Sequence, residues 1–217
     1  MGFIGVQPAT VPLTSSDITD GIISTAKIAD DAITVGKLPS GTIIQVKQTT
    51  KTDTFSTTSN SAVDVTGLSV SITPTSSSNK ILFRYDLSVG GANGADQNHG
   101  AILILRDSTI LHRGDARGSN RIRATNIINN GNAGQMYGFS ASILDSPNTT
   151  SAITYKIQVF QTQNSSDSTK TVCINRAGRD ADDSAGHDGN CASSITVMEV
   201  TAWYIMPYYN YILMLVL

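Results

Sequence analysis

Residues 81–89 read ILFRYDLSV: Ile81, Phe83, Tyr85, Leu87 and Val89 alternate with Leu82, Arg84, Asp86 and Ser88. Successive side chains of a strand point to opposite faces, so this run lays large apolar groups on one side and mostly polar groups on the other. Upstream, Val63 and Val65 share a face; after a break at Gly67, Leu68, Val70 and Ile72 alternate with Ser69, Ser71 and Thr73. Pro74 and the Ser/Thr/Asn cluster behind it end that strand. Downstream, the polar loop from Gly90 to Gly100 leads to a continuous apolar run, 101–105, which suits a strand buried on both faces. Asp107-Ser108 reads as a turn into 109–113.

Farther out the alternation returns. It holds at Tyr137, Phe139, Ala141 and Ile143, and again at Ile153, Tyr155, Ile157 and Val159, with a tight Pro147-containing connection between. Residues 172–175 and 195–200 give two further strands around a Gly/Asp-rich loop, 177–190. Roughly ten strands at near-regular spacing, with no helix signal, predict an all-β head over 41–201: a sandwich or barrel, with a jelly roll preferred.

Bulk properties agree. A chain of 217 residues has room for one sizeable domain plus extensions. Charged residues make up 15% and the formal net charge is -2, so no global field draws the chain to nucleic acid or an acidic membrane. The two cysteines, Cys173 and Cys191, are too few for a disulfide scaffold; they either staple the 177–190 loop or remain reduced.

Residues 11–40 have a different texture. They divide into VPLTSSDITD, GIISTAKIAD and DAITVGKLPS, which place a branched aliphatic every five residues: Leu13, Ile18, Ile23, Ile28, Ile33 and Leu38. A helix advances about 100° per residue and scatters such a series around its axis. A flat strand sends successive members to opposite faces. Short extended pieces with bends at Pro12, Gly21, Gly36 and Pro39 can gather them, but one apolar position in five builds no core within one chain. A parallel three-chain stalk with the aliphatics on a common axis satisfies the pattern; a single-chain pentapeptide coil and a disordered linker are the competitors. Residues 1–10 carry Phe3, Ile4 and Val6 in a Gly-rich context, either an anchoring peptide or a frayed end. They lack the positive leader and apolar run of a signal peptide, and Val6 stands where a myristoylation motif wants Ser or Thr.

Chemistry-bearing motifs are sparse. Asp180, Asp182, Asp183 and Asp188 crowd one loop with hard oxygen ligands, but Ala185 and Cys191 break the EF-hand order, so a solvated loop is favoured over a metal site. Arg113, Arg117, Arg121 and Arg123, with Arg106 and His112 nearby, form a basic stretch suited to anionic groups of a cell-surface polysaccharide, or to ion pairs within or between subunits. Nearby aromatic stacking partners are absent, which argues against nucleic acid. No nucleophile elbow, phosphate loop or cofactor motif is found, and no enzymatic activity or cofactor is expected. The last segment, 202–217, contains WYIMPYYNYILMLVL, uncharged but interrupted by Pro207 and short of a membrane span. It is covered by its own domain or by neighbouring subunits, or is disordered, or extends past a domain complete at Val200.

The units DGIISTAKIADDAITVGKL resemble the shaft repeats of tail-fibre-like proteins of tailed bacteriophages, especially those of cyanobacteria and other aquatic hosts. GTIIQVKQTTKTDTFSTTSNSAVDVTGLSVSITPTSSSNKIL looks like the opening of the globular module that follows such repeats, and LRDSTILHRGDARGSNRIRAT and ASSITVMEV are similar to its middle and closing strand. Together these pieces reach to about Val200; the tail from Thr201 departs from the pattern. The resemblance implies a homotrimeric virion appendage: residues 1–10 attached to another virion protein, 11–40 forming a stalk, and a β-rich head facing the host. A capsid- or tail-bound decoration or joining protein without host recognition is the alternative, and a metal-dependent carbohydrate-active head a third.

Overall fold

The computed structural model describes residues 14, 18, 20, 21, 23–30, 32–90, 98–130, 134–162, 171–179 and 189–202. They fall into two compact units, Met1–Leu38 and Pro39–Leu217.

The second unit is antiparallel β throughout. Its strands are β1 (Ile43–Lys51), β2 (Phe55–Thr57), β3 (Val63–Ile72), β4 (Lys80–Gly90), β5 (Asn98–Arg106), β6 (Thr109–Ile110), β7 (Asn126–Asn130), β8 (Met136–Asp145), β9 (Ile153–Gln161), β10 (Val172–Ile174) and β11 (Ser193–Val200). β8 occupies one edge of β4 along its length, while β11 and β10 lie end to end on the other. β1 and β2 continue that arrangement beyond them, so the first sheet has four positions in the order β1/β2, β11/β10, β4, β8. In the second sheet β9 takes one edge of β5, and β6 and β7 share the other, giving β3, β9, β5, β6/β7.

Pairing is nested. The first strand position joins the last, the second joins the next to last, and so on inward to β5 with β6/β7; successive pairs alternate between the two sheets. One long hairpin rolled in this way is a jelly roll. Strand order and register alone establish it, as the alternation in the sequence led us to expect.

The core sits between the inner faces. Ile81, Phe83, Tyr85, Leu87 and Val89 of β4 are all buried there, opposite Tyr155, Ile157 and Val159 of β9, with the rings of Phe83 and Tyr155 stacked at 5.6 Å. Residues 101–105 of β5 are buried on both faces. Gly67, at φ +85, lies where the β3–β9 register shifts between Asp64 and Ser69: an L side chain disfavours that backbone, and a bulge takes up the extra residues.

Each side of the sandwich is tied by polar groups. At the β1–β3 side, Thr49 Oγ1 donates to the Ser69 carbonyl at 3.0 Å. At the β8 side, Arg106 Nη1 and Tyr155 OH both donate to Asp145 Oδ2 at 2.6 Å, joining β5 and β9 to β8. Tyr85 OH donates to Asn126 Oδ1 at 2.5 Å, joining β4 to β7. Burial pushes both tyrosine hydroxyls well above their ordinary value; for Tyr155 the neighbouring Asp145 carboxylate adds to it.

Among the described residues of the first unit are two one-turn 3-10 helices, Thr25–Lys27 and Val35–Lys37, ten residues apart. Each is closed by the same bond: Lys27 N to the Ser24 carbonyl, and Lys37 N to the Thr34 carbonyl, both at 2.8 Å. Each turn thus closes on a hydroxylic residue, Ser24 or Thr34, and of the positions expected to bend Gly36 lies within the second turn.

Candidate functional site

The head has two unlike poles. Its entry pole is a clamp between the chain's way in and its way out. Gly41 N donates to the Thr201 carbonyl at 3.1 Å and Thr201 N to the Thr42 carbonyl at 2.9 Å. Thr42 N donates to Thr201 Oγ1, and that hydroxyl donates to the Pro39 carbonyl, each at 3.0 Å. Beside the clamp, the fully buried Glu199 accepts at Oε1 from Thr75 N (2.7 Å), Thr75 Oγ1 (2.8 Å) and Asn79 Nδ2 (2.7 Å). Asn79 Oδ1 in turn accepts from Ala202 N at 3.1 Å, so the β3–β4 turn is bound to the exit segment.

The opposite, distal pole collects the long connections. Gly90 at the end of β4 pairs with Met136 at the start of β8 and with Cys173 of β10. Asn98 at the start of β5 pairs with Asn130 at the end of β7, and Gly100 with Gln161 at the end of β9. The strand ends that flank 91–97, 131–135 and 162–171 are therefore neighbours, and the described ends of the β10–β11 connection lie close by. Its base is closed by an Arg176–Asn190 bridge and by Cys191 N donating to the Asn175 carbonyl at 2.9 Å. No disulfide does this: Cys173 is buried and Cys191 exposed, and the two are not bonded to each other. Asn175, at φ +65, fixes the corner through its side chain: Nδ2 donates to the carbonyls of Lys51 (2.8 Å) and Asp53 (2.9 Å), and Oδ1 accepts from Ser193 Oγ (2.5 Å). Gly90 admits this strand, because a Cβ there would lie 2.1 Å from the Arg176 carbonyl oxygen.

Residues 114–120 lie away from these strand ends. They belong to a detour, 112–124, that leaves the middle of the edge strand formed by β6 and β7. Leu111 N bonds the Ile104 carbonyl and Thr125 N the Ile102 carbonyl, each at 2.9 Å, so the strand resumes where it broke off.

The basic residues divide by role. Arg106 is spent on Asp145 and leaves the surface set. Arg123 is half-buried and braces the detour, Nε donating to the Gly114 carbonyl at 2.8 Å, while Thr125 Oγ1 donates to the His112 carbonyl. Arg113, Arg117 and Arg121 are exposed, and among the described residues none has an ion-pair or hydrogen-bond partner. Three unpartnered guanidinium groups on one detour make a surface suited to carboxylate or phosphate groups.

The five-residue ladder lies open on the single chain: Ile18, Ile23, Ile28 and Ile33 are between 39% and 57% exposed, and Leu38 is half-exposed. Phe3, Ile4, Val6, Leu13, Asp180, Asp182, Asp183, Asp188 and the apolar segment 203–217 lie outside the described residues. Among the described residues no cluster of His, Cys, Asp and Glu fit to hold a metal occurs, and no helix is long and apolar enough to cross a membrane.

Sequence reasoning missed the entry clamp, the Glu199 network and the Asn175 corner. Glu199 alone left a signal: it is the one acid in the otherwise uncharged ITVMEV, on the face that buries Ile195 and Val197.

No family model matches the chain, and no curated protein matches it. Among solved structures it is similar to a structure of infectious bursal disease virus, Gt strain: 14% identity over 72% of this chain and 42% of that one, TM-score 0.36. A crystal structure of an infectious bursal disease virus VP2 subviral particle gives 13% identity over 73% and 38%, TM-score 0.33. The chain thus spans about two fifths of the length of these structures, and the likeness is too loose to add to the jelly roll established by strand order.

Proposed function

We propose that this chain is a non-enzymatic structural protein of a virion, a homotrimeric fibre whose N-terminal residues attach to the particle and whose head adheres to a host surface. The observation that carries this reading is the aliphatic ladder, exposed on one chain at five-residue intervals and sheltered once sister chains share an axis. Phe3, Ile4 and Val6 serve as the anchor to another virion protein, and Leu13 to Leu38 as the stalk core. The strand ends that flank the long connections lie at the pole away from the chain's entry. Arg113, Arg117 and Arg121 supply charge-assisted hydrogen bonds to an anionic cell-surface polysaccharide. Three heads on one axis multiply weak single contacts into firm attachment. The phage-fibre resemblance of the repeats supports the same reading.

Competition for adsorption tests it. Purified full-length protein is expected to block particle adsorption to host cells. A variant with Arg113, Arg117 and Arg121 all changed to Ser is expected to block at least tenfold less well, with the difference shrinking at high salt. A protein that binds the particle through residues 1–10 and leaves adsorption untouched would instead be a decoration or joining protein.

A further inference from the structure

The outer face of the β1–β11–β4–β8 sheet is split into two unlike halves. Register sets Val46 opposite Met198, Met198 opposite Leu82, and Leu82 opposite Leu144. All four point outward, because their neighbours Val197, Ile81, Phe83 and Ile143 face the core. One apolar row therefore crosses β1, β11, β4 and β8. Toward the entry pole a second, shorter row follows, Ile43 opposite Val200, and ends at Lys80 on β4. Toward the distal pole the rows turn polar: Gln48, Thr196, Arg84, Ser142, then Thr50, Ser194, Asp86, Ser140. Those polar groups satisfy one another, Gln48 Nε2 donating to Thr196 Oγ1 at 2.9 Å and Arg84 pairing with Asp86 at 3.2 Å. Members of the apolar half on the outer strands lie open, Leu144 61% exposed, Val46 56% and Ile43 49%, while Leu82, Met198 and Val200 between them are half-buried.

Ile43 links this half-face to the ladder. The series Leu13, Ile18, Ile23, Ile28, Ile33, Leu38 continues one further step of five to Ile43, the first residue of β1. The five-residue spacing of the ladder thus runs in sequence into this half-face. We propose that this apolar half-face is where the heads of sister chains pack on one another, a docking surface for second copies of the same chain. The proposal rests on the oligomeric reading above.

Size supports a supporting role. The longer row spans three strand gaps, about 14 Å, and the two rows lie about 7 Å apart. The patch is on the order of 300 Å², well below the roughly 800 Å² per partner of a stable interface. It cannot hold free heads together, but it can dock heads already tethered by a shared stalk, where effective concentration is high.

The test places a photo-crosslinking benzoylphenylalanine in the full-length chain, either at Leu144 or at Ser71, an exposed site on the other sheet. Irradiation is expected to give covalent dimers and trimers from position 144 in at least fivefold greater yield than from position 71. Val46→Lys is expected to cut the yield from 144 at least fivefold while the sedimenting mass stays trimeric. Equal or absent crosslinking from a chain that sediments as a trimer overturns this proposal and leaves the fibre reading standing. A monomeric chain overturns both. An adduct within one chain, onto residues 203–217, overturns the proposal in favour of the chain's own end as the cover.

Discussion

Replacing Ile23 and Ile33 by Ser in the full-length chain removes two of the ladder's aliphatics without touching the head. In the single chain they are 52% and 57% exposed, so about half of each side chain has still to leave water. Full burial of an isoleucine contributes about 1.5–3 kcal/mol, and the remaining half about 0.8–1.6. Two positions on three chains then contribute roughly 5–10 kcal/mol to a trimer, before the cost of ordering the stalk. At about 1.4 kcal/mol per tenfold change, the trimer's association constant should fall by at least a thousandfold. Sedimentation equilibrium over a range of concentrations reads this directly: the parent as a trimer, the double variant dissociating as it is diluted. Head integrity is followed by the same thermal transition in both. A variant that keeps the parent's mass at every concentration, or a parent that is monomeric, would refute the reasoning, since exposed isoleucines would then contribute nothing to association.

Other outcomes follow from the head. Asp145→Ala strands Arg106, whose side chain is 20% exposed, and deprives Tyr155 of its acceptor; urea melts should show a loss of about 2–4 kcal/mol, and less in an Arg106→Met background. Gly90→Ala drives a Cβ into the Arg176 carbonyl, so the same melts should show a loss of about 1–3 kcal/mol or more, with the β10 segment first to lose hydrogen-exchange protection. Tyr85 and Tyr155 ionise above their ordinary value of 10.0 in the folded head, so their contribution is whole below pH 10 and is lost as pH rises toward their folded values. Tyr155→Phe should therefore be less stable than the parent near pH 7, yet lose less stability between pH 9.5 and 11.5, as followed by fluorescence melts at each pH.

Which parts of this molecule could be read from its sequence follows from where the physics is local. β3, β4, β8, β9 and β11 carry period-two alternation because one of their faces meets the core, and they stand where that alternation put them. The break at Gly67 announced a bulge, and Asp107-Ser108 a turn. β1 and β7 were not legible. β1 reads IIQVKQTTK, and as an edge strand beside β11 it buries little, so selection for alternation there is weak. β7 reads NIINN and owes its place to pairing with β5, a long-range bond that no local pattern encodes. The detour 112–124 splits one strand position into β6 and β7, and the two halves do not resemble a strand until both are laid along β5. The candidate surface was partly legible: the arginines were, but their division between display and bracing was not. Arg106 and Arg123 look like their neighbours in sequence, and only Asp145 and the Gly114 carbonyl, brought in by the fold, set them apart.

The entry clamp bears on how the head takes a load. A pull arriving through Pro39 acts along β1, which runs antiparallel to β11 with its hydrogen bonds set across the direction of tension. Those bonds are strained side by side in shear and must yield as a group, whereas peeling from a free edge would break them one after another. Under the fibre reading proposed above, a head held at its distal strand ends would hold until the whole β1–β11 seam slips. The speed of that slip, set by the unfolding barrier, would limit the lifetime of the attachment.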